Sequence, residues 1–243
     1  MLTLTVLGCD GSHQAAGGAS SGYLVRSWAS GNSVWMDTGP GTFANLQRFT
    51  DPLGLSAIVL THEHHDHFGD IEGFLTAARW VYGFHREPVP VYAAPGIRSK
   101  VIQDTEGILD WHEVGDGDGA DVGDLRVAFS RTAHPPVTMA VRVEGPSSAL
   151  GYSADSGPEW SFSALGPGLD LALCEATYTF EHEGTAGHMS GRQAGSNARQ
   201  AGARRLVVTH RWPTIAADAI MAEVTETFAG HVEQAAVGRG YSL

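Results

Sequence analysis

Residues 61–67 place four metal-binding side chains within seven positions of the chain. They read THEHHDH, and the H-x-H-x-D-H spacing is carried by His62, His64, Asp66 and His67. The run 57–60 before them is apolar and partly β-branched, which predicts a buried strand. Apolar residues recur at helical spacing over 71–82 after them. The motif therefore lies on a strand-to-helix turn, where an open α/β architecture exposes side chains to a crevice.

This motif favours a metal site over an ordinary polar loop. Imidazole and carboxylate groups are the usual protein ligands for transition metals. A solvated loop can carry one or two histidines without binding an ion, but four candidate ligands in one turn point to ligation. His65 lies between ligand positions, and we expect it to face solvent or to support a ligand from behind.

The composition of the chain argues against nucleic-acid binding and a disulfide scaffold, and it indicates where the protein is located. The chain has 243 residues and a formal net charge of −12. An acidic surface disfavours broad binding to nucleic acid, which depends on Lys and Arg neutralising phosphates. Two cysteines without a CxxC pair are too few for a disulfide scaffold. The start lacks the features of a signal peptide and no apolar run is long enough to span a membrane, so we predict a cytoplasmic protein with no membrane partner.

Strand-like and helical patterns follow one another along the whole chain, without a linker or a fixed-period repeat. We therefore predict a single domain over residues 1–243. Strands are predicted at 2–7, 22–26, 33–37, 57–61, 90–92, 125–130, 140–143, 149–153, 169–175, 206–210 and 232–236, and helices at 42–49, 69–83, 96–104, 191–203 and 214–229. Ser190 with Gln193 forms a capping box at one helix start, and Gly230 marks the end of the last helix. This order favours an α/β fold with two mixed sheets packed face to face between outer helices, a four-layer αββα sandwich.

Three more candidate ligands follow strand-like segments: His134, Asp155 and His210. Each alone is more often a structural or surface residue, but their shared place at strand ends beside a clear metal motif favours ligation. Asp37 also ends a predicted strand, before the turn sequence TGPG. It either bonds its own backbone in that turn or accepts a hydrogen bond that orients a ligand histidine. The residues alone leave both roles open.

The ordered set of these ligands resembles the metallo-β-lactamase-fold hydrolases. The resemblance spans nearly the whole chain, and its H-x-H-x-D-H motif is specific to that superfamily but not to one reaction. The segments Cys174–Tyr178 and Gly187–Ser190 are similar to the E-A-T-[FY] and G-H-[SM]-[TS] segments of the ribonuclease Z group. The segments Leu7–Ser12 and Ser21–Tyr23 also resemble that group and its bacterial cyclic-nucleotide phosphodiesterase relatives.

The resemblance implies a homodimer in which each chain holds two divalent metal ions with a bridging hydroxide between them. Zinc is the usual metal, and manganese or iron are alternatives, because His/carboxylate sites do not discriminate strongly by ligand type. The implied ligands are His62, His64 and His134 for one ion, Asp66, His67 and His210 for the other, and Asp155 as the bridge.

The resemblance also implies catalytic roles for Asp66, His188 and Glu175. Asp66 would bind one ion and accept a proton from the nucleophile. His188 would hydrogen-bond the phosphate or protonate the leaving alkoxide, since an imidazole titrates near neutral pH. Its alternative is a polar residue that merely precedes a helix. Glu175 would orient His188, and Ser190 is expected only to cap the helix.

One departure from ribonuclease Z bears on the substrate. That group carries a long basic arm that grips tRNA, inserted between the third histidine and the bridging aspartate. Here residues 137–154 fill the interval with two predicted strands and one basic residue, Arg142. Together with the acidic charge, this favours a small phosphodiester such as a cyclic nucleotide over precursor tRNA. The alternatives are an endoribonuclease without the arm, a hydrolase of thioesters, lactones or sulfate esters on the same site, and a non-catalytic scaffold.

Overall fold

The computed structural model describes all residues, 1–243, and contains fourteen strands and five α-helices. The strands are β1 (Leu2–Gly8), β2 (Gly22–Ser27), β3 (Ser33–Met36), β4 (Ala57–Leu60), β5 (Val89–Ala93), β6 (Leu109–Glu113), β7 (Gly119–Val122), β8 (Leu125–Arg131), β9 (Met139–Glu144), β10 (Ala149–Tyr152), β11 (Leu171–Glu175), β12 (Arg205–Thr209), β13 (His231–Gln234) and β14 (Gly240–Ser242). The helices are α1 (Thr42–Leu46), α2 (His65–Phe68), α3 (Ile71–Thr76), α4 (Gly191–Gln200) and α5 (Ala217–Thr227), and a π-helical turn (Ala77–Tyr82) continues α3.

The strands form two seven-stranded sheets, and each sheet combines four parallel strands with an antiparallel part. In the first, with the order β14-β1-β2-β3-β4-β5-β6, strands β3 to β6 are parallel and the rest are antiparallel. In the second, with the order β13-β12-β11-β10-β9-β8-β7, strands β10 to β13 are parallel and the rest are antiparallel. Helices α1 and α3 cover the first sheet, and α4 and α5 cover the second. The predicted αββα sandwich with mixed sheets is confirmed.

The central strands of each parallel half-sheet are buried on both faces, as is usual for parallel sheets. Strand β11 shows how, because alternate side chains point to opposite faces. Leu171 and Leu173 join the large core between the two sheets. Ala172 and Cys174 join a second apolar cluster under α4 and α5. This double burial explains why the strand reads as a continuous apolar run.

The sequence pattern misses β6, β7 and β14, and all three are edge strands. Their residues are mostly exposed or half-buried, so an apolar alternation is weak, and pairing with the neighbouring strand determines their conformation. The helix predicted at 96–104 is wrong. Only a 3₁₀ turn forms at Ile97–Lys100, and the backbone of Ile102 and Gln103 instead donates to the carboxylate of Glu72.

The last helix also differs in its bounds from the prediction, because α5 begins at Ala217 and ends at Thr227. The capping box at the start of α4 is present, with Ser190 and Gln193 bonding each other's backbone. None of the helices has the length and apolarity that crossing a bilayer requires.

Candidate site residues follow the carboxyl ends of parallel strands in both sheets. Asp37 follows β3, the H-x-H-x-D-H motif follows β4, and His210 follows β12. Asp37, Ala154 and His210 have positive φ values of 53°, 50° and 55°. Non-glycine residues rarely adopt this conformation, and it clusters where a site demands a particular side-chain direction. The backbone is therefore strained at the points where both sheets turn towards the same crevice.

Candidate metal centre

All seven sequence-predicted ligands meet where the carboxyl ends of the two half-sheets face each other. Their donor atoms form two groups, which a third group of Asp155, His188 and His210 connects, and within each group the atoms lie within 4.8 Å of one another. The first group is His62, His64, His134 and Asp155, and the second is Asp66, His67 and His210. The first group reaches the surface at His64, whereas His67 and His210 in the second are buried.

Asp155 faces both groups. Its Oδ2 lies 3.5 Å from Nε2 of His62 and 3.8 Å from Nε2 of His134. Its Oδ1 lies 3.2 Å from Nε2 of His67 and 3.3 Å from Nε2 of His210. One carboxylate oxygen is thus directed at each group, which is the geometry that a bridging ligand needs.

The imidazole rings present defined nitrogens to the centre. His64 points Nδ1 inwards, 3.1 Å from Nε2 of His62 and 3.3 Å from Nε2 of His134. The other four ligand histidines point Nε2 inwards and keep Nδ1 in contact with an oxygen behind the ring. The Nδ1 of His134 donates to the carbonyl of Gly187 at 2.8 Å.

Asp37 is the first of two buried carboxylates behind these rings. Its Oδ2 lies 2.8 Å from Nδ1 of His67 and also accepts from the hydroxyls of Thr61 and Tyr152. Its Oδ1 accepts from the backbone N–H of Thr61. Of the two roles left open for Asp37, the structure therefore shows the second, in which Asp37 orients a candidate ligand histidine. Thr61 Oγ1 lies 3.1 Å from Nδ1 of His62 as well.

Glu175 is the second buried carboxylate. Its Oε1 lies 3.0 Å from Nδ1 of His188 and accepts from the backbone N–H of Ser156, the residue after Asp155. Its Oε2 accepts from the hydroxyl of Thr177 at 2.6 Å, and that hydroxyl lies 2.9 Å from Nδ1 of His210. The contact predicted between Glu175 and His188 is present in the structure.

His188 stands beside the ligand cluster. Its ring stacks on that of His210, with centroids 5.4 Å apart. Burial lowers the pKa of His188, but the charge of Glu175 and the hydrogen bond to it outweigh burial and raise that pKa to about 9. The contact with Glu175 occupies Nδ1 and leaves Nε2 available to another group.

The field of the centre favours positive charge at its middle. Burial disfavours a charged His67, yet Asp155, Asp66 and Asp37 raise its pKa well above the usual range. Burial and the neighbouring His67 lower the pKa of His62 to about 4, so that ring is neutral and its lone pair is free to coordinate. Burial raises the pKa of Asp66, but His67 and His210 outweigh burial and lower it, so Asp66 is ionised.

These donors fit divalent metal cations. Ring nitrogens and carboxylate oxygens are the ligands that zinc, manganese and iron accept. The Oδ1 atom of Asp155 is buried and has no hydrogen-bond donor, although a buried carboxylate oxygen normally has a compensating partner. Asp37, Asp66 and Asp155 bring three buried carboxylates to one place, which requires cationic partners.

Sequence reasoning missed three residues that contact the carboxylates: Thr61, Thr177 and Tyr152. Thr177 lies two residues after Glu175, just beyond the end of β11. Thr61 directly precedes the motif. No signal marks Tyr152, which reaches Asp37 from the opposite sheet. His65 is exposed and begins α2, as expected for a residue outside the ligand set.

The centre and its fold can be compared with known proteins. A family model described as the Beta-lactamase superfamily domain matches residues 32–211. The probable metallo-hydrolase YhfI of Bacillus subtilis is 32% identical, over 98% of this chain and 98% of that protein. The crystal structure of YhfI superimposes with a TM-score of 0.90 over 100% of both chains, at 28% identity.

Two further likenesses involve proteins with stated activities. A ribonuclease Z of Mycolicibacterium paratuberculosis is 28% identical, over 96% of this chain and 95% of that enzyme. A diphosphatase of the PhnP family superimposes with a TM-score of 0.75 at 19% identity, over 100% of this chain and 98% of that one. The likeness to the diphosphatase shows a shared fold alone.

Proposed function

Because the chain belongs to the beta-lactamase superfamily, as a metallo-hydrolase of the ribonuclease Z-like group, we propose that it hydrolyses a small phosphodiester such as a cyclic nucleotide. The reaction would take place at a centre of two divalent ions, most simply zinc. One ion would be held by His62, His64 and His134, the other by Asp66, His67 and His210, with Asp155 facing both.

The observation that carries the choice of a small substrate is the hairpin of β9 and β10. Gly145 and Ser148 close this hairpin with a 2.9 Å backbone hydrogen bond, at the end of β10 away from Asp155. The basic residue of the interval, Arg142, bonds Glu144 and two carbonyl oxygens and is therefore neutralised within the fold. Residues 137–154 thus offer no basic arm for an RNA body.

The side chains supply binding and proton transfer. When bound, the two ions would polarise a phosphate oxygen and lower the pKa of water between them. Asp66 is ionised, so its carboxylate can bind an ion, and in this proposal it also receives the proton of the attacking water. His188 has its Nδ1 engaged with Glu175, which favours the imidazolium and leaves Nε2 to donate to a phosphate oxygen or a leaving alkoxide.

Hydrolysis of 3′,5′-cyclic AMP by protein loaded with zinc or manganese tests this proposal, and Asp66→Ala is the control. We expect turnover that disappears in the control, because Asp66 is both a ligand and a proton acceptor in the proposal. Protein that holds two ions per chain and hydrolyses neither 3′,5′-cyclic AMP nor 3′,5′-cyclic GMP would contradict it.

A second candidate is endonucleolytic cleavage of RNA, which the likeness to ribonuclease Z over nearly the whole chain favours. A precursor tRNA transcript with a 3′ extension separates the two candidates. Cleavage at the acceptor stem, together with inactivity on cyclic nucleotides, would replace the first proposal with the second. The expected homodimer and the cytoplasmic location stay predictions, and sedimentation velocity would test the former.

A further inference from the structure

Two buried threonines connect the carboxylates behind the centre to ligand histidines. We propose that Thr61 and Thr177 are positioning residues that fix the tautomers of His62 and His210, so that each ring presents an unprotonated Nε2 to a metal ion. The inference rests on the metal centre of the proposed function but not on its substrate.

The argument begins with the single proton of a threonine hydroxyl, which can serve only one acceptor. Thr61 Oγ1 lies 2.9 Å from Oδ2 of Asp37, and an ionised carboxylate can only accept. The hydroxyl proton therefore goes to Asp37. The lone pairs of Oγ1 then face Nδ1 of His62 at 3.1 Å, and this contact is a hydrogen bond only if Nδ1 carries the ring proton. The Nε2 lone pair of His62 is thereby directed into the centre.

The same reasoning applies to the second sheet. Thr177 Oγ1 lies 2.6 Å from Oε2 of Glu175 and 3.1 Å from the carbonyl oxygen of His210. The carboxylate contact is shorter and charge-assisted, so it takes the hydroxyl proton. Nδ1 of His210, at 2.9 Å from the same oxygen, must then donate. A neutral His210 with its proton on Nδ1 has a lone pair on Nε2, and this atom lies 3.3 Å from Oδ2 of Asp66, so both atoms can bind a cation placed between them.

The two connections let one carboxylate support two imidazoles. Asp37 contacts His67 directly and His62 through Thr61. Glu175 contacts His188 directly and His210 through Thr177. Without the hydroxyl, the buried Nδ1–H loses its acceptor, and the alternative tautomer or a rotated ring becomes competitive. Either change removes the Nε2 lone pair from the ion, which makes the threonine hydroxyl a determinant of metal affinity.

The test measures zinc affinity by competition with a chromophoric chelator, without any substrate. Thr61→Val and Thr177→Val keep the shape of the side chain and remove the hydroxyl, and we expect each to weaken binding of one ion by about 10- to 100-fold. Thr61→Ser and Thr177→Ser keep the hydroxyl, so binding should return to near the wild-type level. Valine variants with wild-type affinity, or serine variants as weak as valine ones, would overturn the proposal.

Thr209→Val is the matched control, because Thr209 precedes His210 and is buried, but its hydroxyl bonds Tyr23 at 2.6 Å and no imidazole. It loses a buried hydrogen bond of the same kind, and we expect unchanged zinc affinity. An equal loss of affinity in this control and in Thr177→Val would identify a packing effect and overturn the role of the hydroxyl in positioning the ring.

A measurement on the wild-type protein covers the case in which a valine variant does not fold. Long-range ¹⁵N–¹H correlation of histidine-labelled, zinc-loaded protein reads which ring nitrogen carries the proton. We expect protonated Nδ1 in His62 and His210, and an unprotonated Nδ1 in both would overturn the proposal. Since proton position and zinc affinity are read without substrate, a failure of the phosphodiester proposal would not change how these outcomes are interpreted.

Discussion

In each sheet a buried carboxylate bonds a histidine of the centre, but the two histidines have different proposed roles. In the first sheet, Asp37 bonds His67, a proposed metal ligand that is fully buried. In the second, Glu175 bonds His188, which lies beside the ligand cluster and keeps Nε2 available. A buried carboxylate therefore orients a proposed metal ligand in the first sheet and a proposed proton donor in the second.

The two carboxylates also differ in what else they connect. Asp37 accepts from Tyr152 of the opposite sheet, so it joins the two halves of the sandwich. Glu175 accepts from the backbone N–H of Ser156 and of Met189, so it joins the loop after β10 to the segment before α4 within its own half. Asp37 therefore contributes to the stability of the whole fold, whereas Glu175 stabilises the local structure around His188, the proposed proton donor.

The largest effect should come from Asp37→Ala. The substitution leaves four buried donors without their acceptor: Thr61 N, Thr61 Oγ1, His67 Nδ1 and Tyr152 OH. We expect a loss of about 3–5 kcal/mol in the free energy of unfolding, as when one partner of a buried charged pair is removed, together with loss of bound metal. Urea unfolding and elemental analysis measure both. A folded variant that keeps two ions and wild-type stability would remove the distinction between the two carboxylates.

The next effect separates the two histidines that the carboxylates bond directly. His188→Ala should lower kcat by about 10²- to 10⁴-fold, the usual contribution of a general acid, while both ions stay bound. His67→Ala is the paired variant and should lose metal. Loss of metal in His188→Ala would place that residue among the ligands, and unchanged kcat would remove it from catalysis.

The parts of the site that could be predicted from the sequence are those that short motifs encode. The cluster of candidate ligands could be predicted because H-x-H-x-D-H is local, and because His134, Asp155 and His210 each follow a strand. The connection between Glu175 and His188 followed from a family resemblance. Tyr152 could not be found, because it reaches Asp37 across 115 residues of chain through packing of one sheet on the other.

The fold shows the same limit. Strands buried on both faces, such as β11 and β12, can be predicted because their sequences are continuous apolar runs. The edge strands β6, β7 and β14 do not, because their pairing partners rather than their own side chains keep them extended. The positive φ at Asp37, Ala154 and His210 is equally invisible, since no glycine marks those positions. Features encoded in a short stretch of sequence are thus predictable here. Backbone conformations that the rest of the fold imposes on non-glycine residues are not.

A smaller effect should follow from cutting the link between the sheets at Tyr152. Tyr152→Phe removes the 2.8 Å hydrogen bond to Asp37 and leaves the ring packed against Tyr23. We expect a loss of about 1.5–3 kcal/mol in the free energy of unfolding, the range for a hydrogen bond to a charged group, with two ions still bound. Tyr23→Phe, which removes a neutral bond to Thr209, should cost less. Equal costs would mean that the charge of Asp37 adds nothing to the link.

The smallest effect concerns the helix that follows His188. Ser190 caps α4 by accepting from the backbone N–H of Gln193, and Oε1 of Gln193 accepts from the backbone N–H of Ser190. Ser190→Ala should lower the free energy of unfolding by about 1 kcal/mol, and Ser190→Gly by less, since glycine is tolerated better than alanine at this position. Steady-state kinetics of Ser190→Ala should give a wild-type kcat, because the hydroxyl is engaged with the helix and with Glu183 rather than with the centre. A fall of kcat at unchanged metal content would instead give Ser190 a role in catalysis together with His188. The second sheet would then supply two catalytic side chains, and the first sheet mainly metal ligands.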